Sequence, residues 1–166
     1  MIPLVLLRLT MLAFLIAPYQ PGSKVVTVTL DALESRFRNG RDTTFVVNLW
    51  ATWCKPCVAE VPWFENLHRR PDSLAPLKVI LVSLDTPSDM QNVQRFVQRK
   101  EITADVVVLN EGKPHKWIDR IDTTWSGAIP ATLIVRKAGG QRTLFEQEFT
   151  DETLRTTIGT VQRMNP

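Results

Sequence analysis

Between an apolar run of strand length, Thr43 to Trp50, and a segment of helical character reaching about His68 lies Ala51-Thr52-Trp53-Cys54-Lys55-Pro56-Cys57. An apolar run without alternation suits a central strand buried on both faces. Pro56 falls in the first turn of the helix that follows, where a missing N–H removes no hydrogen bond. Pro62 falls deeper and predicts a kink. The two cysteines therefore sit where a strand gives way to a helix, and the rest of the chain has to fold around that βα unit.

They are also the only 2 cysteines in 166 residues. A zinc ribbon needs a second pair of ligands, and neither His68 nor His115 has the spacing to supply it. A structural staple is a poor reading, because in the chain-entropy model so short a loop stabilises least. A dithiol that cycles between reduced and oxidised states is what the spacing leaves. At a helix start, Cys54 faces unpaired backbone N–H groups that stabilise a thiolate, and Lys55 adds a positive charge. Cys57 lies one turn deeper on the same side, in reach of a mixed disulfide. Lowering a thiol pKa from about 8.5 to about 7 raises its thiolate fraction at pH 7 roughly sixteen-fold. Lower intrinsic nucleophilicity takes back about five-fold of that, so leaving-group quality and redox potential gain most.

The remaining pattern alternates strands and helices. Val25 to Leu30 is strand-like, and Asp31 is placed to cap a helix to about Arg38. Lys78 to Leu84 reads as a second buried strand, Pro87-Ser88-Asp89 opens a helix to about Lys100, Ala104 to Leu109 is strand-like, and Lys113 to Ile121 is a short helical candidate. Ala131 to Arg136 and Thr143 to Phe149 flank a turn at Ala138-Gly139-Gly140, and Asp151 to Met164 is a closing helix with Asp151 as its N-cap. This predicts an α/β domain with a mixed central β-sheet flanked by helices on both faces.

Residues 1–17 are apolar, but Pro3 and Arg8 interrupt them and they fall short of the ~20 residues a bilayer span requires. They read as a signal peptide with Leu9 to Ala17 as its apolar region, as an N-terminal anchor, or as an amphipathic extension. Residues 18–24, rich in proline and glycine, form a linker, and residues 25–166 form the domain. With 44% hydrophobic and 22% charged residues the domain is globular. The net charge is +3, carried by Arg36, Arg38 and Arg41, by Arg69 and Arg70, and by Arg95, Arg99 and Lys100 among others. No basic stripe interleaved with aromatics is visible, so nucleic acid is not a predicted partner and these charges read as a solvated surface.

The run Phe45-Val46-Val47-Asn48-Leu49-Trp50-Ala51-Thr52-Trp53-Cys54-Lys55-Pro56-Cys57-Val58-Ala59-Glu60-Val61-Pro62 resembles the signature of TlpA/ResA-like thioredoxin-family proteins. Trp125-Ser126-Gly127-Ala128-Ile129-Pro130-Ala131-Thr132 resembles their cis-proline loop, and the similarity spans about Val25 to Val161. The resemblance implies a thioredoxin fold with a TlpA/ResA-like insertion around Arg99 to Ile121. It implies a thiol–disulfide oxidoreductase in the periplasm or another extracytoplasmic compartment, exported or N-terminally anchored, acting as a reductase on disulfide-bearing protein substrates such as apocytochromes. An upstream thiol electron donor in the membrane would reload it. No cofactor beyond the redox-active cysteine pair is implied, and no metal.

The resemblance assigns Cys54 as nucleophile and Cys57 as resolving thiol, and sets Trp53, Lys55, Pro56, Ile129 and Pro130 against the substrate. Cytoplasmic thioredoxins carry a buried Asp six residues before the first cysteine, where this chain has Asn48. TlpA/ResA-like proteins commonly have Asn there and a Glu three residues after the second cysteine, a position Glu60 matches. Taken alone, Glu60 is equally a proton acceptor for Cys57 or an acidic residue favouring the helix dipole; the resemblance favours the first. Trp50 reads as core and Trp53 as exposed contact surface, while Trp63, Trp117 and Trp125 read as packing and the two histidines as surface.

Three rival readings compete. A peroxidase of the same fold wants Pro-x-x-x-Thr-x-x-Cys, but Thr52 is two residues before Cys54 and Val47 occupies the proline position. A copper chaperone would use the two thiolates as soft ligands, yet copper-delivery relatives have C-x-x-x-C and a distal His that this chain lacks. A disulfide-forming oxidase stays open, because Lys-Pro between the cysteines does not fix the potential.

Overall fold

In the computed structural model, which describes residues 24–71, 75–136 and 139–164, the chain runs β1 (Val26–Val28), α1 (Leu30–Arg38), β2 (Thr44–Trp50), α2 (Lys55–Arg69), β3 (Leu77–Ser83), α3 (Met90–Arg99), β4 (Asp105–Leu109), α4 (Ile118–Ile121), β5 (Ala131–Arg136), β6 (Gln141–Phe145) and α5 (Asp151–Met164). The leader or anchor expected at 1–17 and linker residues 18–23 lie outside the described residues, as does Ala138 of the glycine turn.

The six strands form one sheet in the order β1-β4-β3-β2-β5-β6. β1, β4, β3 and β2 are mutually parallel, and β5 and β6 join antiparallel, so the sheet is mixed. β2 lies between β3 and β5, and every one of its residues is buried. Its side chains divide by strand period. Val46 and Trp50 join a core with Val61 and Phe64 of α2, Val93 and Phe96 of α3, and Leu154 and Ile158 of α5. Phe45, Val47 and Leu49 join a second core with Leu33 and Phe37 of α1, Trp117 and Ile121. Helices therefore cover both faces. The segment assigned to the insertion, Arg99 to Ile121, contains β4 and α4, and β4 runs between β1 and β3.

Several boundaries differ from the sequence reading, each for a local reason. Helix α1 is capped by Thr29, whose hydroxyl accepts from the Ala32 N–H, while Asp31 stands in the first turn and pairs with Arg120. Before α5 the capping hydroxyl belongs to Thr150, which accepts from the Thr153 N–H, and Asp151 is already helical. β6 ends at Phe145 rather than Phe149, because its ladder with β5 runs out at the Thr132–Phe145 pair, next to the start of β5 at Ala131; the Phe149 N–H is donated to Glu60. The extent of α2 agrees with the sequence reading: the helix runs on through Pro62 to Arg69, with Pro62 on its exposed side. The helical candidate Lys113–Ile121 divides into a single 3-10 turn, Pro114–Lys116, and α4.

One carboxylate ties α2 to the start of β4. Glu65 is 5% exposed. Its Oε2 accepts the N–H groups of Thr103 and Ala104, each at 3.0 Å, and its Oε1 accepts Thr103 Oγ1 at 2.5 Å and Arg69 Nε at 2.7 Å. Burial works to raise its pKa, but the bonds from Thr103, Ala104 and Arg69 outweigh burial and hold the carboxyl below its ordinary value. A depressed folded-state pKa contributes stability that is present above the unfolded value, near 4.3, and is lost as pH falls through the folded value. Glu65→Gln keeps the shape and removes the charge. It should lower unfolding free energy at pH 7 by about 1–3 kcal/mol in urea melts and flatten the acid limb below about pH 4.5. Unchanged midpoints at both pH values would show that the carboxylate does not hold this junction.

Candidate active site

β2 delivers the chain to the sheet's edge at Trp50, and a second carboxylate fixes what comes next. Asp85 is buried just beyond β3. Its Oδ2 accepts the Thr52 N–H at 2.9 Å and Ser83 Oγ at 2.7 Å, and its Oδ1 accepts the Thr52 hydroxyl at 2.6 Å. The two residues before Cys54 therefore have a fixed course. Cys54 is the N-cap of α2, in extended conformation, and its Sγ accepts the Cys57 N–H at 3.3 Å. Pro56 sits in the first turn, where no donor is missed. The cysteines form a disulfide with Cα atoms 5.3 Å apart. Cys57 is fully buried, whereas the neighbouring Trp53 is 69% exposed.

Glu60, one helical turn beyond Cys57, points into the protein and is 2% exposed. Asn48 Nδ2 donates to its Oε1 at 2.7 Å and the Phe149 N–H to its Oε2 at 2.8 Å. Burial raises its pKa to about 7, against the downward pull of the Phe149 and Asn48 hydrogen bonds and with a smaller upward push from the charge of Glu148. A carboxyl in that range exchanges protons readily at neutral pH. Asn48 is presented by the period of β2, which turns it to the α2 face along with Val46 and Trp50.

The loop before β5 supplies the opposite wall. The Ile129–Pro130 peptide bond is cis, and Cys54 Sγ lies 3.9 Å from the Ile129 carbonyl oxygen. Trp125 is buried and donates its indole N–H to Ala128 O at 2.9 Å, and Glu146 accepts both the backbone N–H and the hydroxyl of Ser126. Gly127 has φ +89°, and a Cβ there would meet Ile118 Cδ1 at 3.0 Å, so the turn requires glycine.

Among the residues singled out from sequence, the structure gathers Cys54, Cys57, Ile129 and Pro130 around the disulfide, with Trp53 and Lys55 exposed beside it, Pro56 half-buried and Glu60 buried behind it. Trp50 is core, its ring 4.9 Å from that of Phe96. The sequence reading did not identify Asp85, Ser83 or the Phe149 N–H. Asp85 is 33 residues from Thr52, and only the parallel pairing of β2 with β3 brings the two together.

Residues 21–140 match the AhpC/TSA family. The thiol–disulfide oxidoreductase ResA of Geobacillus thermodenitrificans is 26% identical over 130 residues, which cover 76% of this chain and 67% of that protein. A thioredoxin-related protein from Neisseria meningitidis serogroup B superposes with a TM-score of 0.61 at 21% identity, covering 74% of this chain and 86% of its own. StoA from Bacillus subtilis gives 0.56 at 21% identity, covering 70% and 82%. These structural likenesses carry the fold, which is the thioredoxin fold.

The raised pKa of Glu60 has a thermodynamic consequence. Between the unfolded value, near 4.3, and the folded value the native state holds the extra proton, so stability falls as pH rises through that window. For the disulfide form, urea melts at pH 4.5 and pH 8 should show a loss on the order of 3 kcal/mol in the wild type beyond that of Glu60→Gln, in which the window closes. Parallel profiles would show that the group titrating there is not Glu60.

Proposed function

The chain belongs to the AhpC/TSA family as a TlpA/ResA-like thioredoxin-family protein, and from that membership and the geometry of the site we propose that it is an extracytoplasmic reductase of protein disulfides. The observation that carries this reading is the Cys54–Cys57 pair at the head of α2, one sulfur at the N-cap beside the Ile129 carbonyl and the other fully buried, one helical turn from Glu60.

In the reduced protein, backbone N–H groups of the first turn of α2 stabilise the Cys54 thiolate. It attacks one sulfur of a substrate disulfide, that S–S bond breaks, and the departing thiolate takes up a proton. The Cys57 thiol gives its proton to Glu60, and the resulting thiolate attacks Cys54 Sγ. The mixed disulfide breaks, the second substrate sulfur leaves as a thiol, and two electrons have passed from the dithiol to the substrate. The disulfide form described above is the product state, and an upstream thiol electron donor in the membrane returns it to the dithiol. Trp53, Lys55 and Pro56 on one side and Ile129-Pro130 on the other contact the substrate chain. Disulfide-bearing envelope proteins, apocytochromes among them, are the substrates this reading names.

A peroxidase reading would need the threonine hydroxyl near Cys54 to serve the reacting sulfur. The Thr52 hydroxyl is instead donated to Asp85.

Cys57→Ala removes the only thiol that can release a mixed disulfide. Expressed with its native N-terminus, it should accumulate partners joined to Cys54, seen as bands that disappear on reduction, whereas Cys54→Ala should capture few or none. If folded Cys57→Ala captures nothing, disulfide exchange fails as the function. If apocytochromes are absent from the captured set, the reading narrows to other envelope proteins.

A further inference from the structure

Beside the disulfide, the fold assembles a groove that the sequence shows only as scattered charge. Thr52, two residues before Cys54, and Val58, one after Cys57, form one wall of a hollow of about 720 Å³. The buried ring of Phe96 also lines it, and Asn92, Arg95, Arg99 and Lys100 along α3 complete it. Positions 92, 95 and 99 recur at helical spacing and so fall on one face of α3. All three cationic side chains are exposed, and among the described residues none of them pairs with a carboxylate. Arg95 makes one hydrogen bond, from Nη2 to Asn92 Oδ1 at 2.6 Å, which leaves most of its guanidinium donors available. Glu101, the next residue in sequence, lines an adjoining hollow with Glu65 and Arg69, and Phe96 and Lys100 line both hollows.

We propose that this groove is a docking subsite for an acidic segment of the polypeptide whose disulfide meets Cys54. The inference rests on the reductase reading and names the substrate feature that reading leaves open. Because the reductase reading makes the partner a polypeptide, the anions it offers are carboxylate side chains, and two observations fit them. Arginine pairs carboxylates bidentately, and Arg95 and Arg99 stand one helical turn apart, so two acidic side chains can be met in succession. From Asn92 to Lys100 the helix rises about 12 Å, the length of roughly three to four extended residues. A groove of that length suits a stretch of chain, and its concave shape distinguishes it from the flat cationic face that would suit a membrane. The unpaired charges would raise the encounter rate with acidic chains and repel basic ones.

The test uses the reduced wild-type protein and two peptides identical around one cysteine, each blocked as a mixed disulfide with 2-mercaptoethanol, with both flanks carrying either glutamates or lysines. At low ionic strength the acidic peptide should be reduced, in single turnover, with a second-order rate constant about tenfold or more above that of the basic one, the ratio falling towards one at about 0.5 M salt. Arg95→Glu/Arg99→Glu should invert the ratio. Equal rates in the wild type, or a preference that the double variant keeps, overturns the proposal. Oxidised glutathione reduced as fast as the acidic peptide assigns the groove to small carboxylates and overturns the polypeptide assignment. Equal peptide rates combined with loss of binding to phosphatidylglycerol vesicles in the double variant assign it to a membrane and likewise overturn the polypeptide assignment. The neutral disulfide of 2-mercaptoethanol separates the two levels: if the wild type does not reduce even that, the reductase reading itself fails.

Discussion

A single buried carboxylate joins three parts of the chain that are distant in sequence. Glu60 leaves α2 behind the disulfide, takes an amide N–H from Asn48 in the middle of β2 and a backbone N–H from Phe149 just before α5. Burying it is unfavourable for its charged form, which is why its pKa rises to about 7 in spite of both hydrogen bonds. The same contacts hold the Phe149 N–H beyond the end of β6, immediately before Thr150, which caps α5. The group proposed to serve the chemistry is also a tie between α2, β2 and the approach to α5. Its environment is therefore difficult to alter without moving the dithiol.

Around that centre the protein positions the reacting sulfurs from loops and not from helices alone. The strand-to-helix turn before Cys54 is fixed by Asp85, and the facing turn before β5 by the Trp125 indole and Glu146. The Asp85 and Glu146 bonds cross between segments distant in sequence, and the Trp125 bond closes its own loop. Two irregular segments can then face each other at 3.9 Å, Cys54 Sγ to Ile129 O, on the rigid support of β2 and its neighbour β5. Loops carried on a buried sheet are where reactive groups are both accessible and held in place.

Much of this was readable from residues in order, and what was not has a common cause. The apolar run of β2, the helix start at Cys54 and the motif ending in Pro130 are local patterns, so the βα unit and the facing loop could be located directly. Caps were misplaced because threonine and aspartate are both competent and lie within two residues of each other at both helix starts. The pin from Asp85 to Thr52 has no local signature, since it depends on the register in which β2 pairs with β3. Arg95, Arg99 and Lys100 looked like ordinary solvated charge. Their helical spacing was visible, but not that α3 packs beside the residues flanking the cysteines.

The pairing of Asn48 with Glu60 explains why an amide fits the position where a carboxylate is the familiar alternative. An aspartate at 48 would place two carboxyl groups in hydrogen-bond contact in a buried site, where like charges cannot both ionise and one pKa is driven strongly upward. An amide avoids that coupling and accommodates either state of Glu60. Its N–H donates to the carboxylate, as the structure has it, and its carbonyl, which has no other partner, can accept from the carboxylic acid once the amide turns over. Thr132, the register partner of Asn48 on β5, adds a second buried oxygen without a hydrogen bond, its hydroxyl, on the strand beside it. The amide of Asn48 thus offers Glu60 more than the carboxylate form alone uses, and that surplus is what a group needs if it is to take a proton and give it back without unpairing its neighbour.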